Sequence, residues 1–163
     1  MFDPTTITQV LEERGYVFEM IEHPALNTVA DAQRFRGSLP GAQIKNLVLK
    51  DRRGALYLAV LEASRQLHLQ KLRRMIGCTQ LSFAPQSILR DLLGVAPGSV
   101  SPLALINAQP EQIRLVMDST VMADQFINVH PLDNRYTLNM RVEDLRDFIQ
   151  WRGFEVTWID GTD

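Results

Sequence analysis

The chain has 163 residues, 45% of them hydrophobic and 22% charged, with a formal net charge of −2. That length supports one domain with a real core, expected to span 1–163, and the composition is that of an ordinary globular protein. No apolar run reaches the ~20 residues that cross a bilayer, no signal-peptide pattern stands at the N-terminus, and the one cysteine, Cys78, excludes an internal disulfide; a cytoplasmic location is expected.

Asp3-Pro4 is a helix start, with Ile7, Val10 and Leu11 as its apolar stripe and Gly15 beyond its end. Tyr16 to Ile21 reads as a strand. Thr28, with Asp31 three residues on, is a capping signature for a helix over about Val29 to Arg36. Ile44–Asp51 and Ala55–Leu61 read as strands joined at Asp51-Arg52-Arg53-Gly54, the clearest hairpin signal in the chain. Leu69, Leu72, Met75 and Ile76 form a helical stripe. Leu81 to Phe83 is a short strand, and Pro85 to Leu93 a helix closed by Gly94. Val95 to Pro102 is a loop. Strands are then expected at Leu103–Asn107, Ile113–Asp118, Phe126–His130 and Tyr136–Met140, a helix at Val142–Trp151 and a last strand at Phe154–Ile159. Interspersed strands and helices with an antiparallel hairpin argue for a mixed α/β (α+β) domain, not a doubly wound parallel sheet.

The charge is unevenly spread. Residues 45–74 hold eight basic side chains (Lys45, Lys50, Arg52, Arg53, Arg65, Lys71, Arg73, Arg74) and two acidic ones, whereas residues 111–163 hold five basic and ten acidic. A polyanion such as a nucleic acid is a natural partner for the basic segment. A solvated face neutralised by acidic neighbours is the alternative.

Within that segment, Lys45-Asn46 is a polar interruption at the head of a strand whose Ile44, Leu47, Val48 and Leu49 are apolar and which Lys50-Asp51 closes. A lysine there is either a solvated edge residue or a charge held for chemistry. The loop Gly94 to Pro102 is a connector or, with its two prolines and Gly98, a rigid presenter of backbone N–H and C=O groups. His23, His68 and His130 lack metal-ligand spacing, and Cys78 follows a helix end, where the dipole disfavours a thiolate. No Gly-x-Ser-x-Gly elbow or phosphate-binding Gly-Lys loop is present.

His23-Pro24, Thr28-Val29, Lys45-Asn46-Leu47-Val48-Leu49-Lys50-Asp51, Leu81-Ser82-Phe83, Leu93 to Pro102, Asn128-Val129-His130-Pro131-Leu132 and Asp144-Leu145 together resemble the freestanding aminoacyl-tRNA deacylases of the YbaK/ProX superfamily. These are similar to the editing insertion domain of bacterial prolyl-tRNA synthetase. The resemblance covers about residues 16 to 159, and His130-Pro131-Leu132 looks most like the branch that clears alanine from proline tRNA.

The resemblance implies a largely antiparallel, barrel-like sheet surrounded by helices, and hydrolysis of the ester joining a wrong amino acid to tRNA, without cofactor or metal. It makes Lys45, Asn46, Gly98 and His130 the catalytic set. Thr28, Val48, Ser99, Val100, Ser101, Pro102 and Val129 become the substrate pocket. Lys50, Arg52, Arg53, Lys71, Arg73 and Arg74 become candidates for tRNA contact. The implied partners are the acceptor end of a mischarged tRNA, tRNA(Pro) first, and a prolyl-tRNA synthetase. Many relatives carry Phe where this chain has Asn27, Val48 and Val129, and Phe-Gly where it has Leu103-Ala104. Loss of aromatic bulk leaves serine, cysteine, threonine and 2-aminobutyrate open beside alanine as the group removed, and a non-catalytic module that binds aminoacyl-tRNA or a synthetase is the alternative function.

Overall fold

The computed structural model describes residues 1–25, 39–66 and 68–160. The helix expected at Val29–Arg36 and its cap Thr28 lie outside them. The first helix, Pro4–Glu13, opens as its sequence dictates. The Asp3 carboxylate accepts the Thr6 amide at 2.8 Å, and the Thr6 hydroxyl accepts the Asp3 amide at 2.8 Å. Its buried face is Ile7 and Leu11.

Among the described residues, eight strands form two sheets. β1 (Phe18–Glu22), β7 (Tyr136–Arg141) and β6 (Phe126–Val129) make an antiparallel sheet in the order β1-β7-β6. β2 (Ile44–Lys50) and β3 (Leu56–Glu62) form the expected hairpin. Its turn is closed by the Asp51 carboxylate, which accepts the amides of Arg53 and Ala55 at 2.9 Å each. β4 (Ser82–Phe83) lines the outer edge of β2, while β5 (Arg114–Asp118) and β8 (Val156–Ile159) extend the other side in parallel, giving the order β4-β2-β3-β5-β8. The architecture is the mixed α/β one expected. Among the described residues its strands divide between two sheets, bridged at Ala42 and Ile127, and do not close into a barrel.

Alternation along the strands sends side chains to opposite faces of the five-stranded sheet. Val48, Leu58, Val60, Leu115 and Met117 enter the main core, with Ile7 and Leu11 and with Leu145, Phe148 and Ile149 of the helix Val142–Trp151. Leu49, Tyr57, Ala59, Leu61 and Val116 form a smaller core under Leu72 of the helix Leu69–Ile76.

Two expectations are corrected. Residues Leu103–Asn107 are not a strand: Pro102–Asn107 winds as a 3-10 helix, with Pro102 at its first position and the Ser101 hydroxyl accepting the Leu103 amide at 3.2 Å. The helix expected over Pro85–Leu93 is only briefly α-helical, at Gln86–Ile88, and widens into a π turn over Leu89–Leu93. Among the described residues no helix is long and apolar enough to cross a membrane.

Candidate active site

The approach to β2 is fastened to the three-stranded sheet. Gly41 has φ +95°, and a Cβ there would lie 2.6 Å from the Phe126 carbonyl oxygen, so only glycine fits. The next residue exchanges bonds with β6: Ala42 N–H to Phe126 O at 2.8 Å, and Asn128 N–H to Ala42 O at 3.1 Å. Asn128 and Asn139 both donate side-chain N–H to the Pro40 carbonyl at 3.0 Å, and Asn139 also donates to the Asn128 side chain at 3.0 Å. This clamp fixes where β2 begins, and Lys45 is its second residue.

Lys45 pairs across the hairpin with Leu61, and Asn46 with Val60. The period of two therefore places the two polar side chains on opposite faces of the strand. The half-buried Lys45 ammonium donates to the backbone carbonyl of Arg65. The Asn46 Oδ1 atom is buried and, among the described residues, has no hydrogen-bond partner. A buried amide oxygen left unpaired costs free energy, and a site that receives a polar ligand is one setting in which that cost is recovered on binding.

Arg65 is 4% exposed, and its guanidinium pairs with Asp118 at 3.2 Å, a residue that is 0% exposed. The Asp118 carboxylate also accepts the Thr120 amide at 3.0 Å, the Thr120 hydroxyl at 2.8 Å and the Glu62 amide at 3.2 Å. Burial pushes its pKa up, but the hydrogen bonds from Thr120, Glu62 and Arg65 outweigh burial and hold it below the ordinary carboxylate value. Sequence reasoning passed over both residues. Asp118-Ser119-Thr120 is a legible capping pattern for the 3-10 helix Ser119–Met122, whereas Arg65 carries no local sign that it turns inward.

The Gly98–Pro102 loop meets the segment after β6. Gly98, at φ +86°, is the exposed tip, and a Cβ there would come within 3.3 Å of the Asn134 side-chain nitrogen. Ser99, Val100, Ser101 and Pro102 are buried. The Asn134 amide donates to the Ser99 hydroxyl at 3.0 Å, tying the two segments together. His130 Nδ1 lies 2.8 Å from the Tyr136 carbonyl. A carbonyl can only accept, so Nδ1 carries the proton and, in the neutral ring, Nε2 holds the lone pair. The His23 ring centroid lies 6.4 Å from that of His130; its Nδ1 donates to Pro24 O at 2.8 Å, and its Nε2 accepts from the Thr137 hydroxyl at 2.9 Å.

The structure thus ties the Gly98–Pro102 loop, through Ser99 and Asn134, to the segment after β6 that begins at His130, and bridges the approach to β2 to β6 at Ala42 and Ile127. Val48, Val100 and Val129 are buried together in the main core. Thr28 lies outside the described residues. The basic candidates lie apart: Asp51, where the hairpin tip begins, is six strand steps from Lys45, roughly 20 Å. Lys50, Arg52 and Arg53 are exposed there, and Arg52 donates to Thr79 and Gln80 just beyond the end of the helix Leu69–Ile76, which carries Lys71, Arg73 and Arg74. Arg73 is half-buried and reaches the Cys78 carbonyl at 3.5 Å. Burial pushes the Cys78 thiol up, away from the thiolate a nucleophile needs. Among the described residues no cluster of three or more His, Cys, Asp or Glu could hold a metal ion.

The architecture is that of the editing domains. A crystal structure assigned provisionally to a trans-editing enzyme for prolyl tRNA synthetase superposes with a TM-score of 0.71 over 98% of both chains, at 23% identity. Residues 23–148 match the family model described as the aminoacyl-tRNA editing domain. The prolyl-tRNA editing protein ProX of Acetoanaerobium sticklandii is 30% identical over 144 residues, 88% of each chain. The prolyl-tRNA synthetase associated domain-containing protein 1 of Danio rerio is 32% identical over 132 residues, 80% of this chain and 72% of that one. The chain belongs to the aminoacyl-tRNA editing domain family. It is an aminoacyl-tRNA deacylase, a hydrolase of the ester that joins an amino acid to tRNA.

Proposed function

We propose that the protein acts in trans, in the cytoplasm, to remove alanine from mischarged tRNA(Pro), working beside prolyl-tRNA synthetase. The observation that carries this reading is the 30% identity to a prolyl-tRNA editing protein across 88% of both chains. The need for such an enzyme follows from sizes. A synthetic site built for proline cannot strongly reject the smaller alanine, because a methylene or two is worth only about 1–3 kcal/mol. A second site that hydrolyses what fits it supplies the missing discrimination.

In this mechanism Lys45 anchors the terminal phosphate or carbonyl region of the substrate, and its ammonium stabilises the negative charge that builds on the carbonyl oxygen. Asn46, whose buried oxygen has no partner among the described residues, hydrogen-bonds the aminoacyl end. The Gly98–Pro102 backbone holds the aminoacyl group and orients the attacking water, and His130, fixed by the Tyr136 carbonyl, shapes the pocket wall. Water attacks the ester carbon, and the tetrahedral intermediate collapses with the terminal ribose oxygen leaving. The tRNA's own terminal hydroxyl assists, and no protein nucleophile takes part.

Deacylation of alanyl-, seryl-, cysteinyl-, threonyl-, 2-aminobutyryl- and prolyl-tRNA(Pro) tests the reading. Alanyl-tRNA(Pro) should be hydrolysed fastest, and Lys45→Ala should lower that rate on the order of 100-fold or more, as loss of a transition-state donor does. A Lys45→Ala enzyme as fast as wild type would refute the assignment of the site. Faster hydrolysis of another ester would replace alanine with that group.

A further inference from the structure

We propose that the buried Arg65–Asp118 ion pair is a positioning device for the Lys45 ammonium. The inference rests on the reading of Lys45 as the residue whose ammonium stabilises the charge that builds on the ester carbonyl, and it deepens that reading.

A lysine side chain is a cation on a flexible four-carbon stem. Its direction is set by whatever rigid acceptor it meets, here the main-chain carbonyl of Arg65. That carbonyl lies just past the end of β3, in a turn closed by Arg65 N–H to Glu62 O at 3.1 Å and Ala63 N–H to Gln43 O at 2.8 Å. A turn at the end of a hairpin strand ordinarily faces water, yet the Arg65 side chain runs inward and is 3% exposed where it meets Asp118 at 3.2 Å. Asp118 closes β5, the strand parallel to β3, and its carboxylate also accepts the amide of Glu62, the last residue of β3. One carboxylate therefore ties the end of β3, the guanidinium of Arg65 and, through Thr120, the next turn.

A buried ion pair is a poor choice for stability alone, because a well-packed apolar pair of the same volume serves as well or better. What the pair provides here is placement. It fixes a carbonyl that occupies one of the three ammonium donors of Lys45 and aims the other two. Asp118 also neutralises the guanidinium, so that a second cation can stand at the main chain of the same residue.

The test uses the full chain with three variants, Asp118→Asn, Arg65→Lys and the double variant R65M/D118N. The double variant removes both charges together, so no lone charge is left buried, and Asn keeps an acceptor for Thr120. Phe148→Leu, in the core of the helix Val142–Trp151, serves as a control for reduced stability. Two readouts are taken with each protein below its melting temperature: kcat and KM for deacylation, and the rate at which Lys45 is acetylated by a dilute reagent, followed by mass spectrometry. The double variant should lose on the order of 100-fold in kcat with little change in KM, the signature of a displaced group. Its Lys45 should react several-fold faster, because its ammonium is no longer held. Arg65→Lys should fall between it and wild type, and Phe148→Leu should move neither readout. A folded double variant with wild-type kcat and wild-type Lys45 reactivity would overturn the inference. So would a Phe148→Leu control that reproduces the double variant's changes. If instead Lys45→Ala keeps full activity, the functional reading fails separately, and Lys45 reactivity still decides whether the ion pair places the ammonium.

Discussion

Gly41→Ala tests the seam on which the site depends. Two costs can be worked from the geometry. The first is conformational: Gly41 has φ +95°, and holding an L-residue in the left-handed half of the map costs about 1–2 kcal/mol. The second is steric. The new Cβ would lie 2.6 Å from the Phe126 carbonyl oxygen, 2.8 Å from its carbon and 2.8 Å from the Phe126 Cβ. Two of these three atoms are backbone, so the clash is relieved only if the approach to β2 moves away from β6. That movement stretches the bonds of 2.8 and 3.1 Å that Ala42 shares with β6, each worth about 0.5–1.5 kcal/mol net. The sum is about 2–5 kcal/mol, and at about 2–4 °C per kcal/mol for a chain of this size it lowers the melting temperature by about 10 °C. Gly54→Ala separates the two costs, since Gly54 has φ +87° but open space around it; it should lose only about 5 °C. Calorimetry on the two variants gives the steric cost by difference. Deacylation kinetics then ask whether the displaced strand carries Lys45 with it, in which case kcat falls in Gly41→Ala and holds in Gly54→Ala. Equal melting temperatures for the two variants would refute the reasoning.

Two further outcomes follow from other parts of the molecule. Burial, reinforced by the neighbouring Cys78 and Asp51, pushes the Tyr57 phenol up to about 12. A folded-state value above the unfolded one (about 10) leaves stability intact below pH 10 and drains it as pH rises to about 12, by roughly 3 kcal/mol in all. A titration of tyrosinate absorbance should therefore show a late phase near pH 12 that Tyr57→Phe removes, and persistence of that phase in the variant would refute the assignment. Reversing Arg73 and Arg74 to Glu should weaken tRNA binding and flatten the plot of log affinity against log salt, by roughly one unit of slope for each phosphate no longer neutralised. Unchanged binding across a salt series would remove these arginines from the interface.

Local chemistry made much of the fold legible. The helix at Pro4–Glu13 announces itself through Asp3-Pro4, and the β2–β3 hairpin through Asp51 and Gly54, because in each case the residues that close the structure are adjacent in sequence. Leu103–Asn107 misled because a short apolar run fits a strand or a buried helix equally. Ser101-Pro102, a capping hydroxyl followed by the residue favoured at a first helical position, was the deciding signal. The π turn at Leu89–Leu93 had no local signal, since its apolar stripe reads as ordinary helix. At the site, the polar break at Lys45-Asn46 was visible. What holds Lys45 was not. Arg65 counted only as one more positive charge in a basic segment, and its burial is decided by Asp118, on a strand that reaches it only through the parallel pairing of β3 with β5.

That same distinction divides the basic segment into two populations with different work. Lys45 and Arg65 lie at the start of β2 and the end of β3, drawn into the protein by a carbonyl and a carboxylate. Lys50, Arg52 and Arg53 stand at the hairpin tip, beside the helix end that bears Arg73 and Arg74. β2 acts as the spacer between them, roughly 20 Å from Lys45 to the tip. On the proposed function, an acceptor stem lying against the tip would have to send its unpaired 3′ end along the length of β2 for the terminal ester to reach Lys45. The two populations then answer to different measurements. Charge reversal at the tip changes affinity and its salt dependence and leaves kcat in place, because exposed charges steer and hold a polyanion without touching the ester. Loss of Lys45 or of the ion pair behind it changes kcat, and moves the salt slope by no more than the one phosphate that Lys45 can anchor. A tip variant that lowered kcat at saturating tRNA would mean that the tip charges also help to place the ester, and the division into two populations would fail.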